Sequence, residues 1–320
     1  MTNPKRRTVG DYAWLVFTGA AMGSADVVPG VSGGTMAFIL GIYEELINTI
    51  KSVNLQFFRL LIRFRIRDAL EQINWKFIVA LGAGLGTAFI TLAHVISWFL
   101  EQHPVPLFSF FFGLILASVL AVSMHVRWRP GMVTALIAGT LLVYFVVGLI
   151  PLDMPHDPFT LFYSGALAIT AMILPGISGA FILLILGQYE YFINAVRELD
   201  VLGLIPLVAG MVVGIMLFAR ILSWLLKHFH QITITLLVGF MLGSLRRIWP
   251  FKEIVETRID RHGEEIPVLY RNILPDFGSG EFWISLGLCV SGFVLISLLD
   301  HLHTRNNPFV RLFFVRRARA

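Results

Sequence analysis

The chain has 320 residues, 57% of them hydrophobic and only 14% charged, with a mean hydropathy of +0.78. A soluble domain carries about 25% charged residues, so this composition excludes a purely water-soluble core and requires lipid to cover part of the surface. The net charge of +5 sits in short segments between apolar runs rather than in a nucleic-acid-binding patch, and the single Cys289 excludes a disulfide framework or a cysteine-based metal site.

The N-terminal stretch with Lys5, Arg6 and Arg7 runs into an apolar segment without a small-residue cleavage site, so no cleaved signal peptide is expected. An apolar region over 11–50 follows, interrupted at Pro29-Gly30-Val31-Ser32-Gly33. A spanning helix needs roughly 20 mostly apolar residues. Six stretches qualify: 76–100, 106–125, 131–151, 201–226, 231–248 and 281–302. A second interrupted region, 159–197, carries the same kind of break at Pro175-Gly176-Ile177-Ser178-Gly179. The arm before each break is short for a full span, which reads as a helix that enters and returns.

The distribution of Lys and Arg orients these segments. Lys5–Arg7 and the basic segment Lys51–Lys76 flank the first interrupted region and place both of its ends in the cytoplasm. Arg127 and Arg129, Lys227, and the tail with Arg305, Arg311, Arg316, Arg317 and Arg319 also fall inside. The turn near His103, the Asp153–Asp157 loop and the 246–280 loop fall outside. Arg246 and Arg247 are the exceptions: they land on the outer side.

The two interrupted regions are copies of one another. Residues 29–44 (PGVSGGTMAFILGIYE) and 175–190 (PGISGAFILLILGQYE) agree at nine positions. Ser97-Trp98 matches Ser223-Trp224, Gly84 matches Gly210, Gly113 matches Gly239 and Ser118 matches Ser244. The reading is an all-α polytopic membrane protein of two repeats, each a re-entrant broken-helix hairpin plus three spans. Residues 1–152 form the first repeat, 153–303 the second, and 304–320 a basic cytoplasmic tail. Three crossings per repeat force the halves into opposite orientations, as in transporters with inverted repeats and a midplane site at broken helices.

A helix start offers unpaired N–H groups and a partial positive charge, which favour an anion and phosphate above all. The candidate anion site is therefore Gly30, Ser32, Gly33, Gly34 and Thr35 in the first copy and Gly176, Ser178 and Gly179 in the second. Each Ser or Thr also has the plainer reading of a helix cap. Asp26 precedes the first break, and Met172 stands at its place in the second. Asp26 can bind a coupling cation, pair with a base or cap backbone N–H groups. Glu44 and Glu190 either carry protons or sit in interfacial water. Arg220 can grip a phosphate or reach the interface with its long stem. His94, aligned opposite it, can titrate near neutrality. No Walker, HExxH, GxSxG or CxxC motif is present, and no cofactor is expected. The paired histidines His228–His230 and His301–His303 read as interfacial.

The block Ala25-Asp26-Val27-Val28-Pro29-Gly30-Val31-Ser32-Gly33-Gly34-Thr35, with Gly41-Ile42-Tyr43-Glu44, resembles the polyprenyl-phosphate transporter family. So do Ile173-Leu174-Pro175-Gly176-Ile177-Ser178-Gly179 and Leu186-Gly187-x-Tyr189, and the resemblance runs over about residues 10–302. Ala180 departs from the family, whose members often have Ser there. The resemblance implies a multi-pass protein of the bacterial or archaeal cytoplasmic membrane, with both termini inside. It also implies return of undecaprenyl phosphate, or a similar lipid carrier, for reuse in cell-envelope synthesis. The expected partners are that lipid, membrane lipids and a coupling proton or cation, with no nucleic acid; the oligomeric state is not assigned. A transporter of a small soluble anion and a lipid phosphatase are the competing readings.

Overall fold

Lipid offers no partner to a peptide group, so the apolar segments fold as helices that bond internally. The computed structural model describes residues 7–28, 30–149, 152, 154–259 and 265–304. Lys5, Arg6, Pro29, Asp153, His262 and the basic tail from residue 305 lie outside the described residues, as does the side chain of His303. The first half runs α1 (Val9–Val27), α2 (Gly33–Ile39), α3 (Tyr43–Ser52), α4 (Leu55–Ile62), α5 (Ile66–Gln72), α6 (Trp75–Thr91), α7 (Ala93–Gln102), α8 (Pro104–Ser123) and α9 (Pro130–Val146). The second runs α10 (Pro158–Ile173), α11 (Gly179–Ile185), α12 (Tyr189–Arg197), α13 (Val201–His228), α14 (His230–Ile248), strands β1 (Lys252–Ile259) and β2 (Glu265–Asn272), and α15 (Gly280–Thr304).

Local chemistry sets the boundaries. Thr8 and Asp11 form a capping box at the start of α1. Asp157 caps α10 and Pro158 fills its first turn, where a missing N–H costs nothing. Gly41 and Gly187, at positive φ of 75° and 68°, turn the chain at equivalent places between α2 and α3 and between α11 and α12.

Among the described residues, four helices are long and apolar enough to cross a membrane: Pro104–Ser123, Val201–His228, His230–Ile248 and Gly280–His301. The expected span 76–100 is instead divided at Leu92 into α6 and α7. Thr87 and Thr91 both return their hydroxyls to carbonyls four residues back, an interaction that bends helices. The expected span 131–151 ends as helix at Val146, just before the Val147-Gly148-Leu149 turn. The basic segment 51–76 holds the short helices α4 and α5, and α5 meets α6 at 80°. The 246–280 segment, expected as a loop, pairs β1 with β2 in an antiparallel ribbon that sets Lys252 opposite Asn272 and Glu253 opposite Arg271.

Packing follows the internal repeat. α1 lies on α6 as α10 lies on α13, and α8 lies on α15 as α14 lies on α9. The glycine contacts coincide residue by residue. A Cβ on Gly19 would fall on the Leu81 carbonyl, and one on Gly165 on the Leu207 carbonyl. A Cβ on Gly84 would fall on the Val16 carbonyl, and one on Gly210 on the Phe162 carbonyl. The alignment that pairs Gly30 with Gly176 also pairs Val16 with Phe162. Small residues at these crossings let the backbones approach, which is how helices associate without a hydrophobic drive between them.

Gly84→Ala therefore forces α1 and α6 apart and should destabilise the protein by about 1–3 kcal/mol. Gly82→Ala, at a glycine with open space around it, should be neutral. Thermal unfolding of both variants in detergent checks the pair, with a lowered Tm expected for Gly84→Ala alone.

Candidate functional site

The two breaks cross one another at the centre of the molecule. Gly30 and Gly176 hold positive φ of 91° and 93°, a conformation that glycine alone adopts without strain. The chain then turns into α2 and α11. Ser32 is the N-cap of α2 and accepts from the Gly34 N–H at 3.1 Å. Its own hydroxyl donates across the molecule to the Met172 carbonyl at 3.0 Å and lies 3.4 Å from the Leu174 carbonyl. In return, the Gly176 N–H donates to Thr35 Oγ1 at 2.8 Å. Ser32 and Thr35 are fully buried. Gly34 permits the approach, since a Cβ there would stand 2.5 Å from the Ile173 carbonyl oxygen.

Asp26 closes the first helix start, accepting from the Gly33 N–H at 2.7 Å. Of the three roles open to Asp26, the fold shows a cap on a backbone N–H, and the N–H groups of Gly33, Gly34 and Gly176 are all engaged. Ser178, the matching N-cap of α11, is buried without a side-chain capping bond. Gly179 packs on α10 near the Ala168 carbonyl.

The other singled-out residues lie away from this crossing. Arg220 donates to the Met216 carbonyl, one turn back on α13. Nearby on α13, Ser223 joins Lys51 and Asn48 of α3 through 3.0 Å bonds. Glu44 is exposed and 3.4 Å from His230, while Glu190 and His94 are exposed.

A cavity of about 650 Å³ adjoins the crossing, under the β1–β2 ribbon and against the ends of α9 and α14. Arg246, Arg247, Lys252 and Arg271 line it together with Tyr270 and Asn272. Arg247 touches the break itself: a Cβ on Gly30 would meet its Cγ at 2.8 Å. Its guanidinium lies 4.7 Å from the Phe181 ring centre and 5.7 Å from that of Tyr270. Arg246 stacks on Tyr144 at 4.3 Å and donates to that residue's carbonyl. Lys252 donates to the Arg247 carbonyl and sits over the Phe108 ring at 4.4 Å. Arg271 is paired with Glu253. Among the described residues, neither Arg247 nor Lys252 has a carboxylate partner within ion-pair distance. Burial, and then the charge of Arg247, push the Lys252 ammonium down to about 7.

Sequence reasoning did not assign this chamber. Its one signal was the Arg246-Arg247 pair on the side where the charge rule disfavours arginine. Lys252, Tyr270 and Asn272 join it only through the strand pairing.

Lipid-length helices around two crossed breaks define a polytopic membrane protein. Comparison with known proteins gives the particular family. Residues 22–266 match the family model described as undecaprenyl phosphate translocase-like. The chain is 42% identical over 266 residues to a polyprenyl-phosphate transporter of Vibrio cholerae, covering 83% of this chain and 86% of that protein. It is 31% identical over 260 residues to a polyprenyl-phosphate transporter of Staphylococcus aureus, covering 75% of this chain and 87% of that one. No solved structure matches the chain. The chain belongs to the undecaprenyl phosphate translocase-like family, a family of membrane transporters and not of enzymes, which sets the phosphatase reading aside.

Two measurements follow from this geometry. Thr35→Val strands the buried Gly176 N–H and should cost about 1–3 kcal/mol of stability, whereas Thr35→Ser keeps the acceptor and most of the stability. Thermal unfolding distinguishes them. The Lys252 amine, facing Arg247 and Arg246 of α14, Tyr270 and Arg271 of β2 and Tyr144 of α9, should titrate near pH 7 with no anion present. Because its pKa falls on folding, its burial penalty is full below pH 7 and fades as pH rises toward 10.5. NMR of ¹³C-methylated lysines reads the midpoint directly.

Proposed function

We propose that the chain carries undecaprenyl phosphate, or a closely similar polyprenyl phosphate, from the outer to the inner leaflet of the cytoplasmic membrane, returning the carrier for cell-envelope synthesis. The names of its relatives support the substrate class. The crossing of the two breaks carries the mechanism. In this reading the halves insert with opposite orientation and both termini are cytoplasmic, as the charge distribution favours.

The crossing is then a closed barrier. The N–H of Gly33 at the start of α2 and that of Gly176 in the turn before α11 are held by Asp26 and Thr35, and a phosphate can take over both because its oxygens accept the same bonds. Opening exposes Gly30, Ser32, Gly33, Gly34 and Thr35 to the headgroup on one side and Gly176, Ser178 and Gly179 on the other. The polyprenyl tail stays in lipid while the headgroup passes between the halves, by alternating access. Arg220, farther along α13, receives the phosphate on the cytoplasmic side. Of the residues considered for coupling, Asp26 touches the break, so proton or cation coupling is assigned to it ahead of Glu44, Glu190 and His94. Releasing Gly33 lets Asp26 take up the coupling ion.

Leaflet exchange of undecaprenyl phosphate in liposomes tests the proposal: the reconstituted protein should accelerate it, and no acceleration rejects the proposal. Combining Ser32→Ala with Ser178→Ala should slow exchange roughly tenfold, the scale of one or two hydrogen bonds to a charged group. An unchanged rate would show that the hydroxyls are dispensable.

A further inference from the structure

We propose that the chamber lined by Arg247, Lys252, Arg246 and Tyr270 is a phosphomonoester-binding site, which receives the headgroup before the crossing opens. The argument starts from charge. Arg247 and Lys252 are largely buried, adjacent and of like sign, and among the described residues no carboxylate answers either of them. Two such cations repel each other in a medium that solvates neither well. The fold nevertheless holds both in place. Phe181 and Tyr270 flank the Arg247 guanidinium, and Lys252 is tied to the Arg247 carbonyl and to the face of Phe108.

A doubly charged phosphate relieves that repulsion and takes the donors the two side chains still have free. The fork of Arg247 suits two phosphate oxygens at once, and the Lys252 ammonium supplies a point charge. Carboxylates are kept off these two cations: Glu253, beside Lys252 in β1, is already paired with Arg271.

Position supports the assignment as strongly as charge does. Arg247 lies against Gly30 of the first break and Phe181 of the second, so an anion held there is already next to the helix starts of α2 and α11. Phe112, Leu149, Leu184 and Leu245 add an apolar stretch to the chamber wall, which suits a ligand with a hydrocarbon end. The phosphate chemistry follows from the chamber alone, whereas the choice of a lipid phosphate rests on the transport reading above.

Binding to the full chain in nanodiscs tests this, with three probes: a short-chain polyprenyl monophosphate, the matching polyprenol, and inorganic phosphate. The monophosphate should bind, and Arg247→Gln with Lys252→Met should weaken it roughly thirtyfold while leaving polyprenol binding unchanged. Unweakened binding by that variant overturns the site. Competition by inorganic phosphate at equal concentration supports the site with a free anion as its ligand, and competition by the lipid alone supports it with the headgroup. Should the double variant fail to fold, the unmodified chain still decides the matter. Labelling of Lys252 by an amine reagent should be blocked by the monophosphate and not by polyprenol, and no protection overturns the site. Leaflet exchange measured in parallel separates the two proposals. Binding without exchange keeps the site and rejects transport; exchange with unweakened variant binding does the reverse.

Discussion

A peptide N–H or carbonyl at membrane depth has no water to turn to, so every helix break there must find its partners inside the protein. In this molecule the first break finds them in its own Asp26 and Ser32, and the second finds them in the first. Met172 and Leu174, at the end of α10, face their carbonyls to Ser32, and Gly176 gives its N–H to Thr35. The second broken segment takes its partners from the first. The packing of the two halves is therefore a condition for having breaks at all, and separating them exposes several polar groups together.

The surrounding helices hold the crossing in register. α1 on α6 and α10 on α13 meet through glycine-to-carbonyl contacts that recur at repeat-related positions. The pairs α8–α15 and α9–α14 tie the first half to the second. Van der Waals contact of backbones, more than oily side chains, sets these distances, which explains why small residues stand where the helices cross. The frame fixes where α2 and α11 begin, and those two starts carry the polar chemistry.

Much of this was legible in the sequence because the repeat is strict around the breaks. The motif, its duplication and the cap by Ser32 all follow from residue type and order. What the sequence withheld is whether a helix-start N–H is free. Asp26 read equally well as an ion site or a cap, and only the fold brings its carboxylate to Gly33. Arg220 read as a phosphate ligand or as a side chain reaching the interface, and in the fold it donates to the Met216 carbonyl one turn back. The chamber was hidden for a different reason. Its residues come from α9, α11, α14 and a β-ribbon whose sequence, with charges of both signs, reads as a loop. The Arg246-Arg247 pair was its one signal, because the charge rule sets that pair on the side it disfavours.

The duplication is faithful in backbone and unfaithful in side chains, and the difference gives the crossing two unlike faces. The alignment that pairs Gly30 with Gly176 pairs Asp26 with Met172 and Thr35 with Phe181. In the first half these positions supply a carboxylate and a hydroxyl, both bonded to N–H groups at the breaks. In the second, Met172 contributes only its carbonyl, and Phe181 turns its ring to Arg247. Asp26 thus stands at the start of α2, while Arg247, with Lys252 beside it, lies between Gly30 and Phe181. A symmetric barrier would bind an anion equally from either side. This one is not symmetric: its first half brings an acid to the start of α2 and its second half brings Arg247 and Lys252, so the two halves differ in the charge they place near the breaks.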